Sequence, residues 1–127
     1  MTGPLADPFL QALYEGRLLL QRCSACARHR LPPTVRCGAC GSQQWTLVPA
    51  SGRGRLASFA VLHRAPGPQH QARVPYVYAL VDLDEGPRVV TNVVHADPGA
   101  LRIGQAVTAV FERTDDDGRA WPDFEPG

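Results

Sequence analysis

The sequence contains no lysine, although it carries thirteen basic residues, all of them arginine. Schiff-base catalysis requires a lysine amine, so this chain cannot supply that chemistry. Only four serines and four histidines are present for hydrolytic reactions. These shortages argue against an enzyme that acts alone, and we assign no catalytic residue.

Long apolar runs are also absent. No stretch approaches the roughly 20 residues of a membrane-spanning helix. Residues 1–7 have neither the basic region nor the apolar run of a secretory signal peptide. We therefore expect a cytoplasmic protein that does not enter a membrane.

Cysteine is scarce, but all four cysteines fall into two C-x-x-C pairs separated by ten residues. They are Cys23 and Cys26, then Cys37 and Cys40. Each pair lets two thiolates reach one ion from a tight turn, for which Gly38 and Gly41 supply backbone freedom. Four thiolates in a tetrahedron suit zinc and leave no open position for a substrate. The spacing predicts a structural zinc ribbon.

Two other interpretations of the cysteines remain open at this point. Two disulfides would require an oxidising compartment, for which the N-terminal residues give no indication. Iron fits the same tetrahedral cage of thiolates, and spacing alone does not separate it from zinc. We favour zinc over both.

The net charge of +1 conceals an asymmetry. Residues 1–81 carry nine arginines against two acidic residues, whereas residues 82–127 carry four arginines against ten acidic residues. An arginine-rich half suggests an anionic partner such as phosphate or nucleic acid. A four-thiolate zinc site is itself doubly negative, however, and nearby arginines can act as its counter-charges. These arginines are Arg22, Arg28, Arg30 and Arg36.

A short helix is predicted within residues 1–16. Asp7 would be its N-cap, Pro8 its first residue and Gly16 its C-terminal cap. The apolar residues at helical spacing are Phe9, Leu10, Leu13 and Tyr14. About two helical turns are unstable alone, so the helix must pack either on its own domain or on a partner.

The ribbon is predicted over residues 17–48. Its first strand would be Arg17–Arg22, and a short exit strand would contain Trp45, which covers the metal cluster or the junction. The turn-rich joint of residues 49–54 marks the one plausible domain boundary.

Residues 49–127 are predicted to form a five-stranded OB-fold barrel, with a small sandwich as the second choice. Five short strands follow one another with turn signals and no intervening long helix. They are Leu56–His63, Tyr76–Asp84, Arg88–Val94, Ala106–Glu112 and Arg119–Phe124. Pro122 would restrict the last strand to an edge or a bulge, and Asp115–Asp117 would be a solvated turn rather than a calcium loop. The fold class is therefore mainly β.

Together these segments resemble the family of OB-fold proteins with an N-terminal rubredoxin-like zinc ribbon that accompany thiolase-like acyl-CoA enzymes. The resemblance covers nearly the whole chain and keeps all four cysteines. Besides the cysteine pairs, it includes Glu15–Leu18, Leu31–Pro33, Ser51–Gly54, His63–Pro66, Pro75–Pro87, Leu101–Gly104 and Pro122–Phe124.

The resemblance implies an accessory subunit that binds a thiolase-like enzyme, which is a thiolase, an acyltransferase or a steroid side-chain retro-aldolase. Members also occur fused or bound to hydratase domains. The partner would perform the carbon–carbon bond chemistry, and this chain would support its assembly and acyl-CoA binding.

Four arginines are the best candidates for the phosphates of coenzyme A, because the planar guanidinium matches phosphate oxygens. They are Arg53, Arg55, Arg64 and Arg73. Backbone donors of the Ser51–Gly54 joint would assist them. Taken singly, each arginine is better interpreted as an ordinary surface residue.

The rival function is binding of single-stranded nucleic acid, since OB-folds stack bases on aromatic residues of a basic face. Phe59, Tyr76 and Tyr78 would serve there, or would stack on adenine, although core or sheet-face roles are commoner. The acidic barrel half makes nucleic acid the less favoured partner. His63 and His95 are interpreted as structural histidines rather than as acid–base catalysts.

Overall fold

The computed structural model describes residues 5–63, 75–111 and 122–127. These residues contain one α-helix and eight β-strands, and a 3-10 turn at Pro98–Ala100. In chain order they are α1 Asp7–Tyr14, β1 Leu19–Cys23, β2 His29–Arg30, β3 Trp45–Pro49, β4 Arg53–Leu62, β5 Tyr76–Leu83, β6 Arg88–Val93, β7 Ala106–Val110 and β8 Asp123–Pro126.

Helix α1 begins one residue earlier than the sequence predicts. Ala6 is the N-cap, Asp7 lies inside the first turn, and no side chain caps the helix. The prediction of Asp7 as N-cap is therefore wrong. The Asp7 carboxylate instead lies near the positive end of the helix dipole, where negative charge is favourable.

The helix ends at a left-handed glycine, as predicted. Gly16 has φ 77°. Its N–H donates to the Leu13 carbonyl at 3.0 Å, and the Arg17 N–H donates to the Ala12 carbonyl at 2.8 Å. This pair of bonds is a Schellman motif, which satisfies the last carbonyls of the helix and turns the chain toward β1.

Helix α1 packs on its own chain. Phe9, Ala12 and Leu13 are buried, and Leu10 is half-buried against the core. Tyr14 was expected on the same face but is 51% exposed, because the narrow apolar stripe ends at Leu13. The buried face of the helix is thus occupied within this chain.

The ribbon contains a three-stranded antiparallel sheet in the order β2-β1-β3. Strand β1 starts two residues later than predicted, and the two-residue strand β2 was not predicted. Leu20 of β1 is fully buried, and Val48 of β3 packs against the same cluster. One face of the ribbon sheet therefore faces the apolar core.

The remaining strands form a closed barrel in the order β4-β5-β6-β8-β7. All pairs are antiparallel except β6 with β8, where Val93 pairs with Phe124. This topology confirms the OB-like barrel over the sandwich. Buried residues of one face of each strand fill the interior, as the alternation in β5 and β6 predicts.

The last strand differs from its prediction. Strand β8 spans Asp123–Pro126 and lies between β6 and β7, so it is not an edge, and residues 119–121 of the predicted strand lie outside the described residues. Pro122 is buried before the strand, and its carbonyl accepts from Thr91 Oγ1 at 2.8 Å. The predicted turn at Asp115–Asp117 lies outside the described residues.

Gly54 allows β4 to close the barrel. It pairs with Leu83 of β5 on one side and with Val107 of β7 on the other. A Cβ atom at this position would lie 2.5 Å from the Asp82 carbonyl oxygen and 2.7 Å from Val81 Cγ1. Only glycine fits between these strands without a shift of backbone.

The ribbon and the barrel share one hydrophobic core. Leu13 of the helix and Leu18 and Leu20 of the ribbon belong to the same cluster as the barrel residues Leu56 and Phe124. The division into segments 1–16, 17–48 and 49–127 remains a prediction about folding units. No helix in the described ranges is both long and apolar enough to cross a bilayer.

Candidate metal centre

The four cysteines lie on two turns with the same backbone hydrogen bonds. In the first turn the Cys23 N–H donates to the Arg28 carbonyl at 2.9 Å. In the second the Cys37 N–H donates to the Ser42 carbonyl at 2.9 Å. Strand β1 delivers Cys23, and its pairing with Trp45 holds the second turn alongside the first. The sequence repeat C-x-x-C is therefore also a structural repeat.

Each turn closes on a residue in the left-handed region. Gly41 has φ 79°, whereas the equivalent residue of the first turn is Ala27, with φ 67°. Gly38 does not have a positive φ, so the prediction that both glycines supply this freedom is correct only for Gly41.

The four sulfur atoms converge on one point. Cys23 Sγ lies 3.5 Å from Cys40 Sγ, and Cys26 Sγ lies 3.7 Å from Cys37 Sγ. All four sulfur atoms lie within 4.8 Å of one another. A tetrahedron with metal–sulfur bonds of about 2.3 Å has sulfur–sulfur separations of about 3.8 Å, so the donor set fits one zinc ion.

The same distances exclude disulfides. A sulfur–sulfur bond is about 2.05 Å long, and all four cysteines are free. Iron would find the same donors, because a tetrahedral cage of four thiolates suits either metal. Cys23 and Cys37 are buried, Cys26 is half-buried and Cys40 is exposed, so one edge of the site reaches the surface.

The turns and the neighbouring sulfur atoms shift the pKa values of three of the thiols. A hydrogen bond from the Cys26 backbone lowers the pKa of Cys23 to about 6, and one from the Cys40 backbone lowers the pKa of Cys37. At Cys40 the Ser42 backbone lowers the pKa, but contacts with the other cysteine sulfurs, Cys23 first, outweigh it and raise the pKa to about 11. A bound cation would compensate the negative charge of thiolates at this site.

Arg30 has a structural role beside this centre. Its Nε donates to Thr34 Oγ1 at 2.8 Å, and its Nη2 donates to the Thr34 carbonyl at 3.1 Å. The guanidinium also lies 5.7 Å from the centre of the half-buried Trp45 ring, a cation–π distance. Arg22 and Arg28 are exposed and make no side-chain hydrogen bond within the described residues, which leaves them available as counter-charges.

Gln21 is the residue of this region that sequence reasoning missed. It is fully buried, and its Oε1 accepts from the Thr34 N–H at 2.8 Å. This bond ties the segment between the two cysteine pairs to β1 and so fixes their separation. The available signal was a polar residue between Leu19 and Cys23 on one face of β1.

Arg53 and Arg55 project from the outer face of β4, two residues apart, and both are exposed. Arg55 Nη1 donates to the Gly104 carbonyl at 3.0 Å, whereas the Arg53 side chain has no hydrogen-bond partner in the described ranges. The other two candidate arginines, Arg64 and Arg73, lie outside the described residues.

The backbone donors of the joint are already used. The Ser51 N–H donates to Glu85 Oε2 at 2.6 Å, and the Arg53 N–H donates to Ser51 Oγ at 3.1 Å. The expectation that these two groups are exposed for a phosphate is therefore wrong, because they anchor the joint to the β5–β6 turn.

The remaining candidates are spread over the barrel. Phe59 and Tyr76 are half-buried, and Phe59 packs against the core. Tyr78 is 49% exposed on the outer face of β5. His63 and His95 are both exposed and lie on different loops, so the structure does not bring them together.

Comparisons with known proteins extend over both parts of the chain. Residues 10–46 match the family described as the rubredoxin-like zinc ribbon domain of ChsH2, and residues 47–112 match the ChsH2 C-terminal OB-fold domain. One chain of a solved Ltp2-ChsH2(DUF35) aldolase aligns with a TM-score of 0.86 and 38% identity, over 98% of this chain and 96% of that chain.

Three relatives carry names of subunits or scaffolds. A DUF35 domain-containing scaffold protein of Methanocaldococcus jannaschii is 33% identical over 76% of this chain and 69% of its own length. The benzoylsuccinyl-CoA thiolase subunit BbsA of Thauera aromatica is 31% identical over 77% of this chain and 67% of its own. A probable enoyl-CoA hydratase alpha subunit of Thermomonospora curvata is 43% identical over 78% of this chain, which spans only 30% of that protein. The chain belongs to the ChsH2 family, in which a rubredoxin-like zinc ribbon precedes an OB-fold domain.

Proposed function

We propose that this chain is a non-catalytic accessory subunit of a thiolase-like acyl-CoA enzyme. Its partner would be a thiolase, an acyltransferase or a steroid side-chain retro-aldolase, working in the cytoplasm. The observation that carries the proposal is the alignment of 98% of this chain with a chain of the solved aldolase. Relatives of the same size class are named as a scaffold protein and as a thiolase subunit.

The chemistry of the chain supports a scaffold role. A centre of four thiolates has no open coordination position, so its zinc would stabilise the ribbon rather than activate water or a carbonyl. With the cysteines engaged as ligands and no lysine in the sequence, neither a thiolate nor a lysine amine is available as a covalent nucleophile.

The packing supports the same role. Because helix, ribbon and barrel contribute to one hydrophobic core, the metal site and the barrel surface are held in fixed relation. A subunit that supports assembly benefits from such rigidity, since little conformational entropy is lost on association.

Support of acyl-CoA binding is the finer part of the proposal. Arg53 and Arg55 are exposed neighbours on one face of β4, and successive residues on one face of a strand are about 7 Å apart. That spacing suits the oxygens of a diphosphate, and the guanidinium of Arg53 is free to turn toward it. Arg64 and Arg73 belong to the same proposal through the sequence alone.

The test begins with the tagged chain expressed in its native host and purified at moderate salt. Mass spectrometry of the recovered complex should identify a thiolase-like protein in stoichiometric amount. The two proteins are then co-expressed, and the affinity for an acyl-CoA is measured with wild type and with Arg53→Gln, using Arg102→Gln as a control arginine elsewhere on the barrel. Recovery of single-stranded nucleic acid in place of the enzyme, with steep salt dependence, would instead support the nucleic-acid-binding function.

A further inference from the structure

Strand β3 forms an edge of the ribbon sheet. The sheet order is β2-β1-β3, so β3 has β1 on one side and no strand of the described residues on the other. Edge strands with unpaired backbone groups are templates for strands of other chains.

The hydrogen-bonding register shows which backbone groups of β3 face outward. The Ala50 N–H donates to the Leu18 carbonyl at 2.8 Å, and the Ser24 N–H donates to the Gln44 carbonyl at 3.0 Å. In an antiparallel pair, hydrogen-bonded residues alternate with residues whose groups point away. Even-numbered residues of β3 therefore bond to β1, and odd-numbered residues present their N–H and C=O groups to the opposite side.

The odd-numbered residues of β3 are Trp45, Leu47 and Pro49. The N–H and C=O groups of Trp45 and Leu47 have no hydrogen-bond partner in the part of the chain that the structure describes. Pro49 has no N–H, and an outward position on an edge is where a strand tolerates proline. The outward edge thus offers two complete pairs of backbone groups and one further carbonyl.

Strand β3 lacks the charged residues that usually protect an edge. None of its five residues is charged, and Leu47 is 39% exposed on the face of the sheet opposite the core. Its length and its terminal proline limit pairing to a short segment. An apolar, uncharged edge of this kind suits addition of one strand, with Leu47 opposite an apolar side chain.

The charge of the ribbon indicates the chemistry of the occupant. Residues 17–48 contain five arginines and no acidic residue. A zinc ion with four thiolates removes two of these five charges and leaves the ribbon positive. Arg22 lies directly opposite Thr46 of β3 and is exposed, so an acidic segment is attracted to this edge.

We propose that β3 binds one extended segment of the thiolase-like partner, with acidic residues flanking an apolar centre, as a fourth strand of the ribbon sheet. This inference rests on the proposed function and specifies where the two subunits meet. Binding would join the partner to the zinc ribbon rather than to the barrel.

Hydrogen exchange of the unmodified protein tests the geometry. In the free zinc-loaded chain, the outward amides of Trp45 and Leu47 should exchange quickly, while the inward amides of Thr46 and Val48 are protected. Addition of the thiolase-like subunit recovered by co-purification should protect the two outward amides at least about tenfold. Unchanged exchange at Trp45 and Leu47 in the complex would overturn the inference. Protection that appears with rising concentration of the chain alone would also overturn it, in favour of pairing between two copies.

A variant tests the energetics. Leu47→Pro removes only an N–H that points outward, so the β1–β3 ladder and the zinc content should survive, and affinity for the same subunit should fall about tenfold or more. Leu47→Val keeps the N–H and should bind nearly as tightly. Ile103→Ser removes a large apolar side chain that is 63% exposed, the most among the described residues of the barrel, and should leave affinity unchanged.

The outcomes separate the two proposals. Normal binding by zinc-loaded Leu47→Pro, or loss of binding by Ile103→Ser alone, would reject β3 as the docking site while the accessory function stands. Failure of the wild-type chain to bind any thiolase-like subunit would reject both.

Discussion

Ala27 and Gly41 occupy equivalent positions in the two halves of the metal centre. Each follows the second cysteine of a pair, and the φ angles are 67° and 79°. The Ala27 N–H donates to the Cys23 carbonyl at 2.9 Å, and the Gly41 N–H donates to the Cys37 carbonyl at 2.8 Å. One half of the repeat therefore places alanine where the backbone favours glycine.

Replacement of this alanine should stabilise the protein. Ala27→Gly removes the strain of a side chain in the left-handed region, but it also gives the unfolded chain more conformational freedom. The free energy of unfolding should rise by a net amount of about 0.5–1 kcal/mol. Gly41→Ala should lower the free energy of unfolding by about 1 kcal/mol. Urea unfolding of the zinc-loaded proteins measures both, and Ala39→Gly, at an exposed position without positive φ, should not stabilise. Equal stability of Ala27→Gly and wild type would show that the φ at this position carries no strain.

Gly54→Ala should destabilise the barrel by about 2 kcal/mol or more, because the added Cβ meets the Asp82 backbone and Val81 at under 3 Å. Thermal unfolding monitored by circular dichroism gives the comparison. The matched control is Gly99→Ala, where the nearest atom to a Cβ would be 3.6 Å away. A melting temperature that is unchanged by Gly54→Ala but lowered by Gly99→Ala would contradict the account of barrel closure.

Removal of one metal ligand should affect more than the ribbon. Cys37→Ala should abolish zinc binding, and the ribbon should lose its packing on the barrel because Leu20 belongs to the common core. The expected cost is about 3 kcal/mol or more, the order of one buried leucine. Metal content by elemental analysis and urea unfolding are the two measurements. Ser24→Ala, at an exposed position of the first turn, is the control. A folded, metal-free Cys37→Ala protein that still bound its partner would refute a structural zinc site.

The ion pair between Asp82 and Arg88 predicts a small effect of pH. Arg88 Nε donates to Asp82 Oδ1 at 2.7 Å and holds the pKa of the carboxyl below its usual value. The stabilisation is present above the unfolded-state pKa of about 3.9 and is lost as the pH falls through the lower folded-state pKa. Since both side chains are about half exposed, solvent screens the pair and the stabilisation should be small.

An NMR titration of the Asp82 carboxyl carbon measures this pKa directly. Arg88→Gln should return it toward its ordinary value, whereas Arg102→Gln should not move it. A midpoint that is identical in wild type and Arg88→Gln would show that the pair does not persist in solution.

The clustering of the four cysteines was predictable because the spacing of two C-x-x-C pairs is typical of ligands to one ion. The barrel was predictable because apolar residues alternate along segments such as Tyr76–Leu83, which indicates the face of each strand that packs in the core. Both signals are local in sequence, and the structure confirms them.

The predictions from sequence are wrong where contacts between distant segments determine the local structure. Asp7 carries the sequence signature of an N-cap, but Ala6 is the N-cap and is buried, which a local signature does not indicate. Strand β8 closes the barrel through pairing with β6 and β7, which nothing within residues 119–124 could indicate. The burial of Gln21 likewise depends on Thr34, thirteen residues away.

Reconstitution of turnover tests the central claim most directly. The rate of carbon–carbon bond cleavage or formation on an acyl-CoA is measured for the thiolase-like subunit alone, for the zinc-loaded chain alone, and for the two together. We predict a stable complex, no turnover by this chain alone, and a higher kcat/KM for the pair than for the partner alone. Turnover by this chain alone, or a partner whose activity and mass are unchanged by the chain, would contradict its assignment as a non-catalytic accessory subunit.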